Sequence, residues 1–340
     1  MARKDLIQLF RQEIDEGTIV NDSLIPTFRQ LGERYSCSAA TVKRMVDQLE
    51  NRGILHTIRG RGTFVAGSAI PPQRNYKQLI GCIILDDRFK IELERAKDAY
   101  LMQKYFFSIY NASADAQSPE REKLFLEVAK EQEFCAIVME ATPVEPVNTA
   151  LFQRMRFDGM KIVHLSPYLD DMREECFFTP DFYAAGQLGV VKCELKQYNN
   201  LVMLRGKEKA PFSNAWEKGV RQMAANMNIR LLPALYGRTD DEFRAGIRTL
   251  PPSTAVFSVN TEQGEKVIKI AREEGLSVPG SLGVMSLSQS VHTDTRHSYF
   301  SFDYRKILHD ALAYCNNRSI NAMKMVQNYY PPSFVDLQTL

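Results

Sequence analysis

The sequence lacks any long apolar stretch. No apolar run in its 340 residues approaches the roughly eighteen residues that a membrane-spanning helix requires. Residues 1–5 carry Arg3, Lys4 and Asp5, and the apolar segment of a secretory signal peptide does not follow them. We therefore expect a cytoplasmic protein with no membrane partner.

The sequence is also poor in motifs of catalysis and metal binding. Its six cysteines are scattered, and no two have the CxxC spacing of a zinc or redox site. No serine lies in a Gly-x-Ser-x-Gly elbow, and there is no glycine-rich phosphate loop. The stretch 292–297 holds two histidines and an aspartate, but these are also ordinary turn residues. The sequence therefore predicts no enzyme activity, no metal and no cofactor.

Charge is nearly balanced overall but not locally. The 44% hydrophobic and 25% charged fractions are typical of a soluble globular protein, and the length predicts two or three domains. The net charge is +2, yet residues 29–61 contain seven basic and three acidic side chains. A local basic patch on a nearly neutral protein indicates that this segment binds a polyanion.

The first fifty residues have the pattern of three helices. Apolar residues from Leu6 to Ile14 recur at helical spacing. Thr27 and Gln30 form a capping-box pattern that predicts a second helix after Pro26. Ser38 can cap a third helix, whose predicted apolar face comprises Val42, Met45, Val46 and Leu49.

A hairpin is predicted next. The β-prone runs 54–58 and 63–66 flank the sequence Arg59-Gly60-Arg61-Gly62. Two helices joined by a tight turn and followed by a hairpin with a cationic tip form a winged helix-turn-helix. Such a unit fits duplex DNA, because the third helix enters the major groove and an arginine of the wing can enter the minor groove.

This segment resembles the gluconate-repressor (GntR) family of regulators over roughly residues 4–66. The resemblance is carried by Ile25-Pro26-Thr27, Leu31, Ser38, Thr41-Val42, Leu49-Glu50, Gly53-Ile54-Leu55 and Gly60-Arg61-Gly62-Thr63-Phe64-Val65. It implies contacts with DNA from Arg29, Ser38, Lys43, Arg59 and Gly60. We add residues of the same helix and wing by position: Ala40, Thr41, Arg44 and Arg61. Ala39 stands where the family usually has a base-reading arginine, so the usual operator sequence is not implied.

The remainder predicts a larger domain. Residues 67–77 have the composition of a linker between a DNA-binding domain at 1–66 and a second domain at 78–340. From Leu79 onward, apolar strands alternate with amphipathic helices, including predicted helices at 91–104 and 181–198. This alternation predicts parallel sheets covered by helices, with ligands at the carboxyl ends of the strands. There are too many strands for one sheet, so two lobes are expected.

Residues 78–317 resemble the effector domain of the lactose-repressor family, which shares the fold of type I periplasmic sugar-binding proteins. The resemblance is carried by Leu79-Ile80-Gly81, Asp181, Ala185-Gly186, Gly219, Val259-Asn260, Gly275-Leu276, Val278-Pro279 and Phe302-Asp303. The fold class is therefore α/β: a winged helix-turn-helix followed by a two-lobed periplasmic-binding-protein-like domain. This is the architecture of arabinose-repressor-like regulators.

The predicted effector site departs from the sugar-binding pattern. Trp216 stands where the family usually has an arginine, and Ser288 where it has an aspartate. Their replacement removes the charged groups that fix a polyol. The effector-site residues predicted from the ends of strands and from these positions are Asp86, Arg88, Phe89, Glu140, Trp216, Asn260, Ser288 and Tyr304.

Two functions remain open. The first is a homodimeric transcription regulator, a repressor, that binds operator DNA under control of a small-molecule effector, for which a carbohydrate is one candidate. The second is a DNA-bound dimer whose C-terminal domain binds no ligand and serves only dimerisation or partner recruitment. Trp216 is the only tryptophan. A tryptophan at this position could stack on a sugar, or it could lie in the core.

Overall fold

Two units make up the chain, Met1–Tyr76 and Lys77–Leu340. The computed structural model describes residues 6–7, 9–10, 12–13, 19, 24–51, 54–58, 62–65, 78–103, 105–110, 118–145, 147–205, 211–236, 239–288, 295–317 and 320–340. The predicted linker at 67–77 lies outside the described residues. Within the described ranges, no helix has the length and apolar character needed to cross a bilayer.

The first unit begins with helical residues at 6–7, 9–10 and 12–13. Helices α1 (Phe28–Arg34) and α2 (Ala39–Asn51) follow, and strands β1 (Leu55–Ile58) and β2 (Gly62–Val65) form an antiparallel pair. The capping box at α1 is confirmed, because the Thr27 hydroxyl accepts from Gln30 N–H and the Gln30 side chain accepts from Thr27 N–H. The core lies between the helices and the hairpin and includes residues with no exposed surface: Phe10, Leu31, Val42, Leu49 and Val65.

The second unit contains two sheets. The first has the strand order β14-β7-β6-β5-β3-β4, and every pairing in it is parallel. Its strands are β3 (Gln78–Ile83), β4 (Tyr105–Tyr110), β5 (Ala136–Met139), β6 (Lys161–His164), β7 (Phe177–Pro180) and β14 (Gln327–Tyr330). This sheet packs with α3 (Asp87–Met102), α4 (Pro119–Glu131), α5 (Thr149–Phe157) and α10 (Tyr304–Asn316) to form what we term lobe 1.

The second sheet has the order β10-β8-β11-β12-β13-β15, with β9 beside β8. Its strands are β8 (Asn200–Arg205), β9 (Arg230–Leu231), β10 (Leu235–Tyr236), β11 (Thr254–Ser258), β12 (Leu282–Ser286), β13 (Ser298–Ser301) and β15 (Ser333–Val335). Only the pairing of β13 with β15 is antiparallel among those described. With α6 (Phe182–Leu195), α7 (Pro211–Asn226), α8 (Asp240–Arg248) and α9 (Thr261–Glu273) this sheet forms lobe 2.

The chain passes between the lobes three times, from β7 to α6, from β13 to α10 and from β14 to β15. Asp181 and Asp303 stand at the first two crossings, and each side chain caps the helix that follows. One apolar core continues through both lobes, from Ile80 and Val138 to Leu201 and Phe257. The two-lobed α/β prediction is therefore confirmed.

Helices α6 and α7 lie unusually close together on lobe 2. A Cβ atom at Gly186 would collide with the carbonyl oxygen of Trp216, and one at Gly219 would collide with that of Tyr183. Glycine is thus required on both helices, because their backbones touch at these two points. This contact fixes the side chains of both helices beside the first crossing between the lobes.

Several predicted boundaries were wrong. Helix α3 starts at Asp87 rather than Ile91, because the Asp86 side chain caps it by accepting from Arg88 N–H. The helix predicted at 181–198 spans Phe182–Leu195, since Asp181 is its cap. Helix α5 and the strands β7, β13, β14 and β15 were not predicted, and each of these strands has only three or four residues.

Candidate nucleic-acid interface and effector site

Helix α2 separates an apolar face from a polar one. Val42, Met45 and Leu49 are buried, whereas Ala40, Lys43 and Arg44 are exposed. The Ser38 hydroxyl accepts from Thr41 N–H at 3.2 Å and lies 2.9 Å from the Thr41 hydroxyl. Ser38 is therefore the predicted cap of α2, and the N-terminal end of this helix remains exposed.

The cations near this helix differ in their partners. Arg29 is 89% exposed and its Nε donates to Glu33 at 3.1 Å, one turn along α1. Lys43 and Arg44 form no ion pair with any residue that the structure describes. A groove of about 660 Å³ runs between α1 and the start of α2, and Arg29, Ser38 and Ala39 are among the residues that line it. The exposed cations and this groove form a surface suited to a polyanion.

The tip of the wing, with Arg59, Gly60 and Arg61, lies outside the described residues. The strands that flank it are described and pair from Leu55 opposite Val65 to Ile58 opposite Gly62. Gly62 has φ of 109°, which disfavours any residue with a side chain. The hairpin predicted from the sequence is present, although Ile54 and Ala66 do not belong to its strands.

Five of the eight predicted effector-site residues meet at the carboxyl ends of β3 and β5. We call Asp86, Arg88, Phe89, Glu140 and Tyr304 the strand-end cluster. The Arg88 Nε donates to Asp86 Oδ1 at 2.8 Å, and its guanidinium carbon lies 4.5 Å from the centre of the Tyr304 ring. The Phe89 ring meets Tyr304 edge-on at 4.9 Å. Glu140 Oε2 accepts from Leu85 N–H at 2.6 Å and from Asp86 N–H at 2.7 Å.

Burial dominates the electrostatics of this cluster. Burial, with the nearby negative charge of Asp86, raises the pKa of Glu140 to about 7. Burial also raises the pKa of Tyr304, whose hydroxyl finds no hydrogen-bond partner among the described residues. For Arg88, burial acts to lower the pKa, but the hydrogen bond and charge of Asp86 outweigh it and the pKa is raised. The polar groups of the cluster are thus largely committed to one another.

The other three predicted residues lie in lobe 2. Asn260 caps α9 by accepting from Gln263 N–H at 3.0 Å, and Ser288 donates to the Val259 carbonyl at 3.3 Å. Trp216 has no exposed surface and packs edge-on against Phe257, with ring centres 5.0 Å apart. It therefore lies in the core, and its predicted contact with an effector stays a prediction.

Aromatic rings fill the space between the cluster and lobe 2. Phe182, at the first crossing, packs on Phe212 at 5.3 Å and on Phe302 at 5.4 Å, and Phe302 lies 6.2 Å from Tyr304. Rings in contact leave little room for a polar ligand at the ends of the central strands.

An open cavity of about 750 Å³ lies beside this aromatic row, between the two lobes. Asp170 of lobe 1 and Asn214 of lobe 2 bridge it, with a hydrogen bond of 2.9 Å from the Asn214 amide to the carboxylate. Its wall also includes Phe177, Tyr183 and Tyr329. None of the eight predicted effector-site residues lines it. The sequence gave no signal for these side chains, because they come from five separate segments without a shared motif.

A buried polar network lies near Asn260. The Ser286 hydroxyl is 2.6 Å from His297 Nε2, and His297 Nδ1 is 2.8 Å from Glu265. Serine, histidine and glutamate in this order have the geometry of a hydrolase triad. Ser286 and His297 have no exposed surface, and a Cβ at Gly264 would collide with the histidine. A substrate therefore cannot reach Ser286, and the network holds loop ends together instead.

No group of three or more histidine, cysteine or acidic side chains in the described ranges is arranged to hold a metal ion. His292 and Asp294 of the stretch considered in the sequence lie outside those ranges.

Comparison with known proteins agrees with both sequence resemblances. Residues 2–65 match the family model "Bacterial regulatory proteins, gntR family". Residues 195–324 match the model of a periplasmic binding protein-like domain. An arabinose metabolism transcriptional repressor from Halalkalibacterium halodurans is 24% identical over 48% of this chain and 45% of its own length. The transcriptional repressor NagR from Bacillus subtilis is 31% identical over 18% of this chain and 25% of its own length. The chain thus spans less than half the length of either relative.

Solved structures share the fold of the second unit. A probable maltose operon transcriptional repressor from Staphylococcus aureus has a TM-score of 0.62 at 12% identity, over 77% of this chain and 98% of its own. The Cra regulator from Pseudomonas putida in complex with fructose 1-phosphate has a TM-score of 0.58 at 11% identity, over 76% and 98%.

A periplasmic solute-binding protein from Actinobacillus succinogenes with bound D-allose has a TM-score of 0.59 at 14% identity, over 77% of this chain and 99% of its own. At these identities the likeness concerns the fold alone. The chain therefore joins a helix-turn-helix domain of the bacterial gntR regulatory type to a periplasmic binding protein-like domain with parallel sheets.

Proposed function

We propose that the protein is a transcription repressor, not an enzyme, whose affinity for operator DNA is controlled by a carbohydrate effector. The observation that carries the proposal is the exposed polar face of α2, which presents Lys43 and Arg44 without ion-pair partners among the described residues. The match of residues 2–65 to gntR-type regulators supports it, as do the names of the two repressors above. Such a protein acts in the cytoplasm, on the nucleoid.

The proposed DNA contacts divide by element. Ser38, Ala40, Thr41, Lys43 and Arg44 lie at the start of α2, where short side chains and exposed N–H groups can approach bases and phosphates. Arg29 flanks this end of the helix. On the wing, Arg59, Gly60 and Arg61 are proposed to contact the minor groove, where the negative potential attracts arginine.

Control by an effector follows from the two lobes and their three connections. A ligand that contacts both lobes stabilises the arrangement in which both contacts are made, and so shifts the population of lobe arrangements. We propose that this shift, in the domain at 78–340, reaches the DNA-binding domain at 1–66 through the linker at 67–77. The coupling between two such sites is typically about 1–3 kcal/mol.

We further propose a homodimer, because a helix-turn-helix domain reads a two-fold operator as a pair. Lobe 1 exposes apolar side chains along consecutive elements: Leu101 and Met102 end α3, Phe106 and Ile109 lie on the edge strand β4, and Leu124 and Val128 lie on α4. Contiguous apolar surface of this kind marks interfaces. Phe106→Asp should therefore dissociate the full-length dimer in sedimentation equilibrium, whereas Leu195→Asp, on α6, should not.

A second candidate function is a DNA-bound dimer without an effector. The paired Asp86 and Arg88 and the aromatic row beside them favour it, because they occupy the place where parallel sheets usually bind ligands.

One experiment separates the two candidates. Operators are selected from random duplexes with the full-length protein, and binding is then measured with arabinose, maltose or D-allose present. We expect one sugar to weaken operator binding about 5- to 150-fold. Specific operator binding that no sugar changes would favour the second candidate, and absence of any sequence-specific binding would refute the proposed function.

A further inference from the structure

The cavity between the lobes differs from the strand-end cluster in what it leaves available. It is bounded by lobe 1 through Asp170, Phe177 and Tyr329, and by lobe 2 through Tyr183 and Asn214. Its volume of about 750 Å³ falls within the usual range for small-molecule sites. The cluster, in contrast, is filled by its own side chains.

The lining of the cavity combines aromatic rings with neutral hydrogen-bonding groups. The Phe177 and Tyr329 rings meet at 4.9 Å, and Tyr329 is 60% exposed. Across the cavity, the Tyr183 hydroxyl donates to Gln222 at 2.5 Å and accepts from Gln187 at 3.1 Å. Aromatic faces beside amide and hydroxyl groups suit a ligand with apolar faces and many hydroxyls.

The charges of the cavity argue against an anionic ligand. Two carboxylates, Asp170 and Asp181, line it together with one cation, Lys218. Asp181 accepts from Ala184 N–H at the start of α6, and Asp170 accepts from Asn214. Two carboxylates near a phosphate would repel it, and the single exposed lysine cannot outweigh them.

We propose that an uncharged saccharide binds in this cavity, between Tyr183 and Tyr329 and against the pair Asp170–Asn214. The proposal rests on the proposed effector function and places the effector apart from the strand-end cluster. It also assigns the regulation to one contact: Asp170 and Asn214 belong to different lobes, so a saccharide hydroxyl bonded to both holds the lobes together.

The test measures binding of arabinose, maltose, D-allose and fructose 1-phosphate to the full-length protein by calorimetry. Two variants alter the cavity: Ala215→Trp fills it, and Tyr329→Ala removes an exposed aromatic wall. Tyr236→Ala is the matched control, because Tyr236 is 62% exposed and lies on β10, away from the cavity. Tyr304→Phe removes one hydroxyl from the strand-end cluster. Thermal denaturation and sugar-free operator binding report whether each variant folds, and if Ala215→Trp does not fold, Tyr329→Ala decides.

We expect an uncharged sugar to bind, with affinity about tenfold weaker in the cavity variants and unchanged in Tyr236→Ala and Tyr304→Phe. Loss of binding in Tyr304→Phe with full binding in Tyr329→Ala would overturn the proposed location and leave the proposed function intact. Binding of fructose 1-phosphate alone would overturn the uncharged class. Binding of no probe would overturn both this proposal and the effector-controlled function, while operator selection still tests DNA binding.

Discussion

The exposed face of α2 and the strand-end cluster are both rich in polar side chains, yet they offer a partner very different things. On α2, Lys43 and Arg44 extend from the surface, and no ion pair among the described residues neutralises them. In the strand-end cluster, Arg88 is held by Asp86, and Glu140 by two backbone N–H groups. A polar side chain is available to a ligand only where the protein's own groups have not already used it.

The largest expected effect sharpens the α2 side of this comparison. With about eight phosphate contacts per dimer, log affinity should fall with log salt at a slope near −7, which is about 10⁴-fold between 50 and 200 mM. Lys43→Ala removes a contact from each protomer and should reduce the slope by about 2. Lys324→Ala, an exposed lysine of lobe 1, is the control. A slope near zero, measured by fluorescence anisotropy, would contradict the electrostatic interpretation.

The next effect concerns Trp216, the predicted effector residue that lies in the core. Trp216→Ala should lower the free energy of unfolding by about 3–5 kcal/mol, because it removes a large side chain with no exposed surface. Phe157→Ala, at an 80% exposed position, should change it by less than about 0.5 kcal/mol. Urea denaturation measures both. A stable Trp216→Ala protein that has lost sugar binding would return Trp216 to the effector site.

Glu140 gives a smaller effect and probes the strand-end cluster. Its pKa is raised from 4.5 to about 7, so the folded state disfavours the carboxylate and stability is lost as pH rises through this interval. The loss from this group is at most about 3 kcal/mol. Glu140→Gln should remove that dependence, whereas Glu131→Gln, at an exposed site, should not. Denaturation at pH 5 and pH 7.5 measures it, and equal slopes in Glu140→Gln and wild type would break the comparison.

The smallest expected effect has the opposite sign. Burial lowers the pKa of His297, and the hydrogen bond to Glu265 offsets this only in part. The folded state therefore binds this proton less readily than the unfolded state, and the stability it contributes is lost as pH falls below about 6.5. His297→Gln should flatten this part of the stability profile, and His309→Gln, at a 70% exposed residue, should leave it unchanged. Stability that rises on acidification from pH 7 to pH 6 through His297 would refute the assignment.

Much of the fold could be predicted because it depends on local patterns. The apolar spacing of Val42, Met45 and Leu49, with Ser38 before them, predicted α2. The capping box of Thr27 and Gln30 predicted α1. The buried strands β3, β5, β8, β11 and β12 were predicted from short apolar runs. Strands such as β13 and β15 escaped, because four or three residues carry too little periodicity and their pairing joins distant segments.

The candidate ligand site was less predictable, since it depends on which residues meet. The sequence placed Asp86, Arg88 and Glu140 at strand ends, and the structure brings them together. It could not show that Asp86 would neutralise Arg88. Nor could it show that Asp170 and Asn214, 44 positions apart, would meet across a cavity.

The sequence by itself determined the two domain types, the order of their main elements and the polar face of α2, because these follow from periodicity, capping and turn residues within short segments. Only the tertiary structure decided that Trp216 lies in the core and that the open cavity lies beside the first crossing between the lobes. The physical reason is the contact of α6 with α7 at Gly186 and Gly219, which turns one face of α7 inward and another toward the cavity.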